Sequence, residues 1–102
     1  MYVVVARWYT KDGADDEVAA QLRVMVPFAN AEPGCAFYVA NHGVDDPRRF
    51  LLYEQYHDEA AFRAHTETDA FKEHVLGRIV PLLEQRERDI FATVDPDPIP
   101  SV

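Results

Sequence analysis

Three side chains in the middle of the chain have the chemistry of an acid–base site: Glu54, Tyr56 and His65. The pKa of histidine lies near neutrality, so His65 could remove a proton from a substrate hydroxyl group or stabilise the resulting oxyanion. Glu54 and Tyr56 are two residues apart and share one face if their segment is a strand. Because Glu54 lies in the apolar run LLYEQY, burial would raise its pKa toward that of a useful base. We expect His65 and Glu54 to be catalytic and Tyr56 to contact the substrate.

Each of these side chains also has an ordinary structural interpretation. His65 could stand at the end of a helix and interact with the helix dipole. Glu54 could pair with an arginine or a backbone group, and Tyr56 could pack in the core. The sequence leaves open whether His65 faces a pocket or solvent.

Three further side chains are candidate substrate contacts. Phe71 and His74 are three residues apart and share one face of a predicted helix, where Phe71 could stack on an aromatic substrate. Arg7 interrupts an apolar strand and could bind an anionic oxygen. The alternatives are a core position for Phe71, a partly exposed position for His74, and an ion pair between Arg7 and a carboxylate.

The sequence contains no recognisable metal or nucleotide signature. The four histidines (His42, His57, His65 and His74) are widely spaced, and there is neither a Cys pair nor a His-x-x-x-His motif. This spacing matches no zinc site. Cys35 has no nucleophile motif around it, and the glycines stand alone rather than in a phosphate-binding loop. We therefore predict neither a metal nor any other cofactor.

The composition favours one small globular domain. The chain has 102 residues, 48% of them hydrophobic, and a formal net charge of -8. An acidic surface repels phosphate backbones and anionic lipids, so we expect neither nucleic acid nor a membrane as a partner. No signal peptide is visible, and a single cysteine fits a reducing compartment. We predict a cytoplasmic protein.

Hydrophobic periodicity predicts the order β-α-β-β-α-β, with the second helix split in two. The predicted strands cover residues 2–10, 35–41, 50–56 and 86–94, and the predicted helices cover residues 14–31, 58–65 and 66–81. Asp58 is a candidate N-cap, and Thr66 with Asp69 resembles a capping box. Pro27 should kink or end the first helix, and residues 95–102 should form an extended Pro-rich tail. This order is that of a ferredoxin-like α+β fold, an antiparallel sheet with helices on one face.

Both faces of the predicted sheet are apolar. In the first strand Val3 and Val5 point to one face, and Val4 and Ala6 point to the other. A sheet with one wet face should instead alternate apolar and polar residues. The helices can cover only one face, so the second should be buried against another copy of the chain. We predict a homodimer packed sheet to sheet, with the Pro-rich tail reaching across.

Three segments of the sequence resemble a known family. They are Glu32–Cys35 (EPGC), Pro47 followed by Phe50–Tyr56 (FLLYEQY), and Ala64-His65 followed by Thr68–Phe71 (TDAF). In this order and spacing they resemble antibiotic biosynthesis monooxygenase (ABM) domain proteins, in particular the small quinol monooxygenase-like members. The likeness runs from residue 3 to about residue 94. It implies a dimeric α+β barrel, with residues 1–102 as a single ABM-like domain and a pocket between the sheet and the helices.

The same resemblance implies a chemistry. Such proteins oxidise quinol- or anthrone-like compounds with O2 and without metal or flavin. In that scheme the protein helps to deprotonate an electron-rich phenol or enol, and the anion itself passes an electron to O2. A dry, shaped pocket and a few polar groups place the substrate. The expected function is therefore a cofactor-independent monooxygenase acting on a small aromatic or quinol-like compound, with His65 as its polar centre.

Two other functions remain open from the sequence. Related dimeric α+β barrels move protons on small carbonyl compounds, and a His beside a Glu would serve an isomerase or lyase equally well. Such an enzyme would turn over without oxygen, whereas a monooxygenase would not. A non-catalytic binder of an aromatic metabolite would show saturable binding with no chemical change to the ligand.

Overall fold

The computed structural model describes residues 1–94, and these residues contain four strands, three helices and a short 3₁₀ turn. In chain order they are β1 (Tyr2–Thr10), α1 (Asp15–Asn30), β2 (Cys35–His42), β3 (Arg49–Tyr56), α2 (Glu59–Thr66), α3 (Phe71–Ile79), the 3₁₀ turn (Val80–Leu82) and β4 (Leu83–Ala92). The strands form one antiparallel sheet in the order β2-β3-β1-β4. This confirms the predicted ferredoxin-like α+β fold. The tail predicted at residues 95–102 lies outside the described residues.

The inner face of the sheet, defined as the face that the helices cover, carries the core. Val4, Ala6 and Trp8 of β1 point to this face and are at most 5% exposed. The residues that α1 buries recur every three or four positions and form one stripe: Val18, Leu22, Met25 and Ala29. Burial of a large apolar side chain contributes roughly 1.5–3 kcal/mol. This stripe therefore fixes α1 against the inner face.

The opposite, outer face has no helix over it among residues 1–94. Phe37, Leu51 and Phe91 point outward and are 43%, 38% and 52% exposed. Phe37 packs edge-on against Tyr53, with 6.0 Å between the ring centroids. Among these apolar side chains Gln55 is buried, and its side-chain oxygen accepts no hydrogen bond from any described residue. The outer face is thus the apolar surface on which the predicted homodimer depends, and dimerisation itself stays a prediction.

Pro27 was predicted either to kink or to end the first helix, and the helix does not end there. Pro27 lies in the last turn of α1, and the missing proline N–H leaves only the carbonyl group of Arg23 without its helical partner. Arg23 is exposed, so solvent can satisfy that carbonyl group. The helix continues to Asn30, whose side-chain amide donates to the carbonyl groups of Val26 at 3.0 Å and Tyr38 at 2.9 Å. The bond to Tyr38 ties the end of α1 to β2.

The helix that follows α2 differs from the prediction at its start and in its winding. Thr66 and Asp69 form no capping box, because the Thr66 hydroxyl group donates to the carbonyl group of Arg63 within α2. Thr68 caps the next helix instead, since its hydroxyl oxygen accepts from the N–H of Phe71 at 3.1 Å. α3 is a π-helix rather than the regular helix that the apolar spacing predicted. π-helical turns are rare and often occur at functional sites.

β4 begins at Leu83, earlier than the predicted start at Arg86, and ends at Ala92. β4 pairs with β1 as far as Thr10, and the register shifts at a bulge between Tyr9 and Thr10. This pairing adds residues 83–85 to the strand. β4 is an edge strand, and all of its residues after Leu83 are exposed. None of the helices in residues 1–94 is long and apolar enough to cross a lipid bilayer.

Candidate active site

A cavity of about 360 Å³ lies between the inner face of the sheet and the helices α2 and α3. Its apolar lining includes Val4, Ala6, Trp8, Leu52, Phe62 and Val75. Its polar lining includes Glu54, His65, Arg86, Glu87 and Arg88. Small-molecule sites typically have volumes of roughly 300–1,000 Å³, apolar walls and a few convergent polar groups. The cavity has the size and build of a site for a compact organic molecule.

β3 places Glu54 at the centre of the inner face. In the sheet register Glu54 lies between Val4 of β1 and Tyr38 of β2, and it is 5% exposed. Tyr56 donates its hydroxyl group to Oε1 of Glu54 at 2.5 Å. Burial raises the pKa of Glu54 to about 7, although the hydrogen bond from Tyr56 and the charge of Arg88 act in the opposite direction. Near neutral pH Glu54 is therefore divided between its acid and carboxylate forms.

α2 presents His65 to the same cavity. The helix begins after Asp58, whose carboxylate accepts from the N–H of Ala61 at 2.8 Å, as the sequence predicted. Nδ1 of His65 lies 2.9 Å and 3.1 Å from the two carboxyl oxygens of Glu32. Because a carboxylate can only accept, we assign the ring proton to Nδ1. Nε2 is then the free basic atom, and it lies 3.9 Å from Oε1 of Glu54.

Aromatic rings enclose His65, which is 1% exposed. The ring centroids of Phe71, Tyr56 and Tyr38 lie 5.1, 5.3 and 5.5 Å from the centroid of its imidazole. This burial lowers the pKa of His65, and the hydrogen bond and charge of Glu32 oppose the shift without reversing it. At neutral pH the ring is therefore uncharged, with an unprotonated Nε2. That is the state a general base requires.

Glu32, His65 and Glu54 together form an acid–base centre. Glu32 fixes the tautomer and orientation of the imidazole, and it would stabilise the imidazolium formed when Nε2 takes a proton. Glu54 can hold a proton near neutral pH because burial raises its pKa to about 7. A substrate hydroxyl group within reach of Nε2 would also lie beside the Glu54 carboxyl group. The centre can accept one proton and donate another at neighbouring positions.

The structure brings four of the six predicted site residues together: His65, Glu54, Tyr56 and Phe71. His74 instead faces α1, where its Nδ1 lies 2.9 Å from the side-chain oxygen of Gln21. Arg7 points to the outer face and forms an ion pair with Asp89. Neither of these two residues lines the cavity, so their roles as substrate contacts stay predictions.

Sequence reasoning missed Glu32, Trp8, Arg86 and Arg88. Glu32 lies in the turn before β2, and no local pattern relates it to a residue of α2 so much further along the chain. A signal did exist for the arginines, because the run Arg86-Glu87-Arg88 places both on one face of a strand. The predicted fourth strand contained both arginines, but the face that they share with Trp8 follows only from the register of β4 against β1.

Metal binding has no support in the described part of the chain. No three His, Cys, Asp or Glu side chains among residues 1–94 converge as a metal site would require. Burial raises the pKa of Cys35 to about 11, so its thiol is not activated as a nucleophile. The absence of metal and cofactor stays a prediction.

A ferredoxin-like sheet with a polar-centred cavity under its helices defines a class of small α+β proteins that hold a compact ligand between sheet and helices. Within that class, residues 1–75 match the family model described as antibiotic biosynthesis monooxygenase. The match covers most of the chain, and the protein belongs to the ABM family. Both Glu54 and His65 lie inside the matched segment, whereas β4 lies outside it.

Solved structures support the same assignment. A structure described as an antibiotic biosynthesis monooxygenase is 27% identical, with a TM-score of 0.86, over 92% of this chain and 99% of its own. The protein SO0527 from Shewanella oneidensis is 31% identical, with a TM-score of 0.81, over 88% and 87% of the two chains. PA3566 from Pseudomonas aeruginosa is 26% identical, with a TM-score of 0.84, over 91% and 93%. No curated protein matches the sequence significantly.

Proposed function

We propose that this protein is a cofactor-independent monooxygenase that oxidises a small aromatic or quinol-like compound with O2. The observation that carries the proposal is the position of His65, which lines the cavity while its Nδ1 lies 2.9 Å from a carboxyl oxygen of Glu32. Burial lowers the pKa of His65, which favours a free Nε2. Membership of a family described as monooxygenases supports the reaction class. The volume of about 360 Å³ lies in the range typical of small-molecule sites.

In the proposed reaction, Nε2 of His65 takes the proton of a substrate hydroxyl group, and Glu32 stabilises the imidazolium. The electron-rich anion transfers an electron to O2, and the two radicals combine into a peroxide anion on the ring. Glu54 in its acid form protonates the distal peroxide oxygen and gives the hydroperoxide. For an anthrone-type substrate in its enol form, the Glu54 carboxylate then removes the remaining C–H hydrogen as the O–O bond breaks, and the carbon becomes a carbonyl group. The hydroxide that leaves takes the proton of the His65 imidazolium and becomes water, which returns His65 and Glu54 to their starting forms.

One observation favours a second candidate function. Nε2 of His65 and Oε1 of Glu54 are 3.9 Å apart, and a base beside an acid suits an isomerase or lyase that moves a proton on a carbonyl compound. The two functions differ in their need for oxygen. Turnover of a carbonyl substrate under argon would favour the isomerase or lyase.

We also propose that the protein is a homodimer packed through the outer face of the sheet. Phe37, Leu51 and Phe91 support this, because large apolar side chains exposed together on one face favour association. The buried side-chain oxygen of Gln55 supports it as well, since this acceptor has no donor in residues 1–94. A second copy would bury the apolar side chains.

The experiment that tests the oxygenase is oxygen uptake with a panel of hydroquinones and anthrones, using chelator-treated, flavin-free protein. We expect uptake above the spontaneous rate and a loss of roughly a hundredfold or more in His65→Gln. His57→Gln is the matched control, because His57 is exposed in the loop before α2. Unchanged uptake in His65→Gln would contradict the role of His65, and turnover without oxygen would contradict the reaction class.

A further inference from the structure

Arg86 and Arg88 form a pair of cations on one wall of the cavity. They lie opposite Trp8 and Ala6 in the register of β4 with β1, so both point to the inner face. Glu87, between them, is paired with Arg7 in the same register, and its side chain therefore points to the outer face. Glu87 also borders the cavity, but the alternation of β4 turns its side chain away and directs the two positive charges inward.

Neither arginine has a carboxylate partner within residues 1–94. Four other arginines form such ion pairs, Arg7, Arg48, Arg63 and Arg78, whereas Arg23 and Arg49 do not within the described part of the chain. Arg86 and Arg88 differ from Arg23 and Arg49 because they line this cavity. Two cations that line a cavity without an ion pair among the described residues mark a local preference for an anion.

The surroundings of Arg86 and Arg88 hold the two side chains in place and leave their positive charges free to bind an anion. The guanidinium carbon of Arg88 lies 5.2 Å from the ring centroid of Phe62, an arrangement that positions the group by its flat face and leaves its N–H edge free. Residues two apart on a strand are about 6.6 Å apart, so the two like charges repel each other. Burial, followed by the charge of Arg88, lowers the pKa of Arg86. An anion between the two groups would remove this repulsion.

Glu54 on the cavity floor does not serve as a full counter-ion. Burial raises its pKa to about 7, so at neutral pH much of it carries no charge. The cavity therefore has an acid–base centre at one side and, among residues 1–94, a positive wall at the other whose charge Glu54 offsets only in part. The family match ends at residue 75, before β4, so these arginines are a feature of this chain beyond the matched segment.

We propose that the substrate is an aromatic compound that carries a carboxylate, with its hydroxyl group toward His65 and its carboxylate between Arg86 and Arg88. This inference rests on the proposed function, because it takes the cavity as the substrate site. A planar guanidinium group binds a carboxylate through two parallel hydrogen bonds, which would also set the orientation of the ring. Arg86 and Arg88 are then specificity-determining residues.

The test compares gentisate, a hydroquinone that carries a ring carboxylate, with its uncharged methyl ester. Calorimetric titration under argon gives both affinities without turnover. The protein has one tryptophan, and it lines the cavity, so quenching of Trp8 fluorescence reports that the ligand occupies this site. We expect the acid to bind at least roughly tenfold more tightly than the ester, since a hydrogen bond to a charged group is worth about that factor or more.

Arg86→Gln and Arg88→Gln should each weaken gentisate binding roughly tenfold and leave the affinity for the ester unchanged. Arg78→Gln is the control for lost charge, because Arg78 is 55% exposed on α3 and does not line the cavity. Both arginines of the pair are exposed, so their variants should fold. Equal affinity for acid and ester, an equal loss for both ligands in the variants, or no binding of either ligand would overturn the inference.

Failure of this inference and failure of the proposed function have different signatures. Oxygen uptake with no preference for the carboxylate would reject the anionic substrate and keep the monooxygenase. A carboxylate preference that depends on Arg86 and Arg88, found without oxygen uptake on any substrate, would support the anion site and reject the reaction.

Discussion

The inner face of the sheet buries polar side chains with partners, whereas the outer face exposes apolar ones without a cover. Glu54 on the inner face and His65 on α2, which covers that face, are 5% and 1% exposed, and each is hydrogen-bonded. On the outer face Leu51 and Phe91 are 38% and 52% exposed. Both arrangements oppose the usual distribution of residues, in which apolar side chains are buried and charged ones are exposed.

This difference indicates a separate role for each face of the sheet. Burying a carboxyl group and an imidazole destabilises their charged forms, and a protein retains such groups where their altered pKa values serve a reaction. Exposing several large apolar side chains on one face favours association. We therefore propose that the inner face serves chemistry and that the outer face contacts another chain.

Leu51→Glu should convert the proposed dimer into a monomer. A two-fold interface contains each substituted position twice, so two uncompensated charges would be buried, and we expect the dimer to weaken by roughly a thousandfold or more. Light scattering at micromolar concentration would measure the mass. Val44→Glu adds the same charge at a side chain that is 98% exposed in the loop before β3, and it should leave the mass unchanged. A monomeric wild-type protein would refute the assignment of the outer face.

Glu32→Gln should lower kcat by roughly a hundredfold with little change in KM, because Glu32 positions His65 and does not line the cavity. A glutamine can present its NH₂ group to Nδ1 and so favour the tautomer in which Nε2 carries the proton. The pH–rate profile should change as well, which a merely structural role would not produce. Glu67→Gln, at an exposed position beyond α2, is the matched control. Unchanged kcat in Glu32→Gln would remove Glu32 from the mechanism.

Glu54→Gln should stabilise the fold at alkaline pH. The pKa of Glu54 is raised from 4.5 to about 7, so between these values the folded state holds a proton that the unfolded state has lost. Stability present below pH 4.5 is therefore lost as pH rises through 7, and glutamine, which does not ionise, avoids that loss. We expect the variant to gain about 2–3 kcal/mol over wild type at pH 8 and much less at pH 5. Denaturant unfolding at both values measures this, and an equal difference at the two would contradict it.

Asp58→Ala should cost about 1 kcal/mol of unfolding free energy, because the Asp58 carboxylate caps the helix that carries His65. Denaturant unfolding would measure the loss. Asp45→Ala, at an exposed position in the loop before β3, removes the same charge without a cap and should have no measurable effect. Equal stability of the two variants would show that the cap does not support α2.

Local patterns predicted the fold well because strand alternation and helical spacing depend on near neighbours. The position of β1, the Asp58 cap and the common face of Glu54 and Tyr56 follow from such patterns. The cap at Thr68 and the π-helical winding of α3 did not, since they depend on how the chain packs after α2. Short sequence motifs predict the start of a helix poorly where several hydroxyl groups could cap it.

The site was predicted only in part for the same reason. His65 was recognisable as a candidate from its residue type, but its partner Glu32 is distant in sequence, and only the fold brings them together. His74 has the same chemistry as His65, yet it faces α1 because the π-helix turns it from the cavity wall that Phe71 occupies. Arg88 required the register of β4 against β1.

The most direct test of the account is the protonation state of His65 in the free protein. Long-range ¹H–¹⁵N correlation NMR distinguishes the two ring nitrogens, and the signals lost in His65→Gln identify this ring among the four histidines. We expect an uncharged ring at pH 7, with the proton on Nδ1 and an unprotonated Nε2. A proton on Nε2, or a charged imidazolium at that pH, would contradict it, because His65 could not then act as the base.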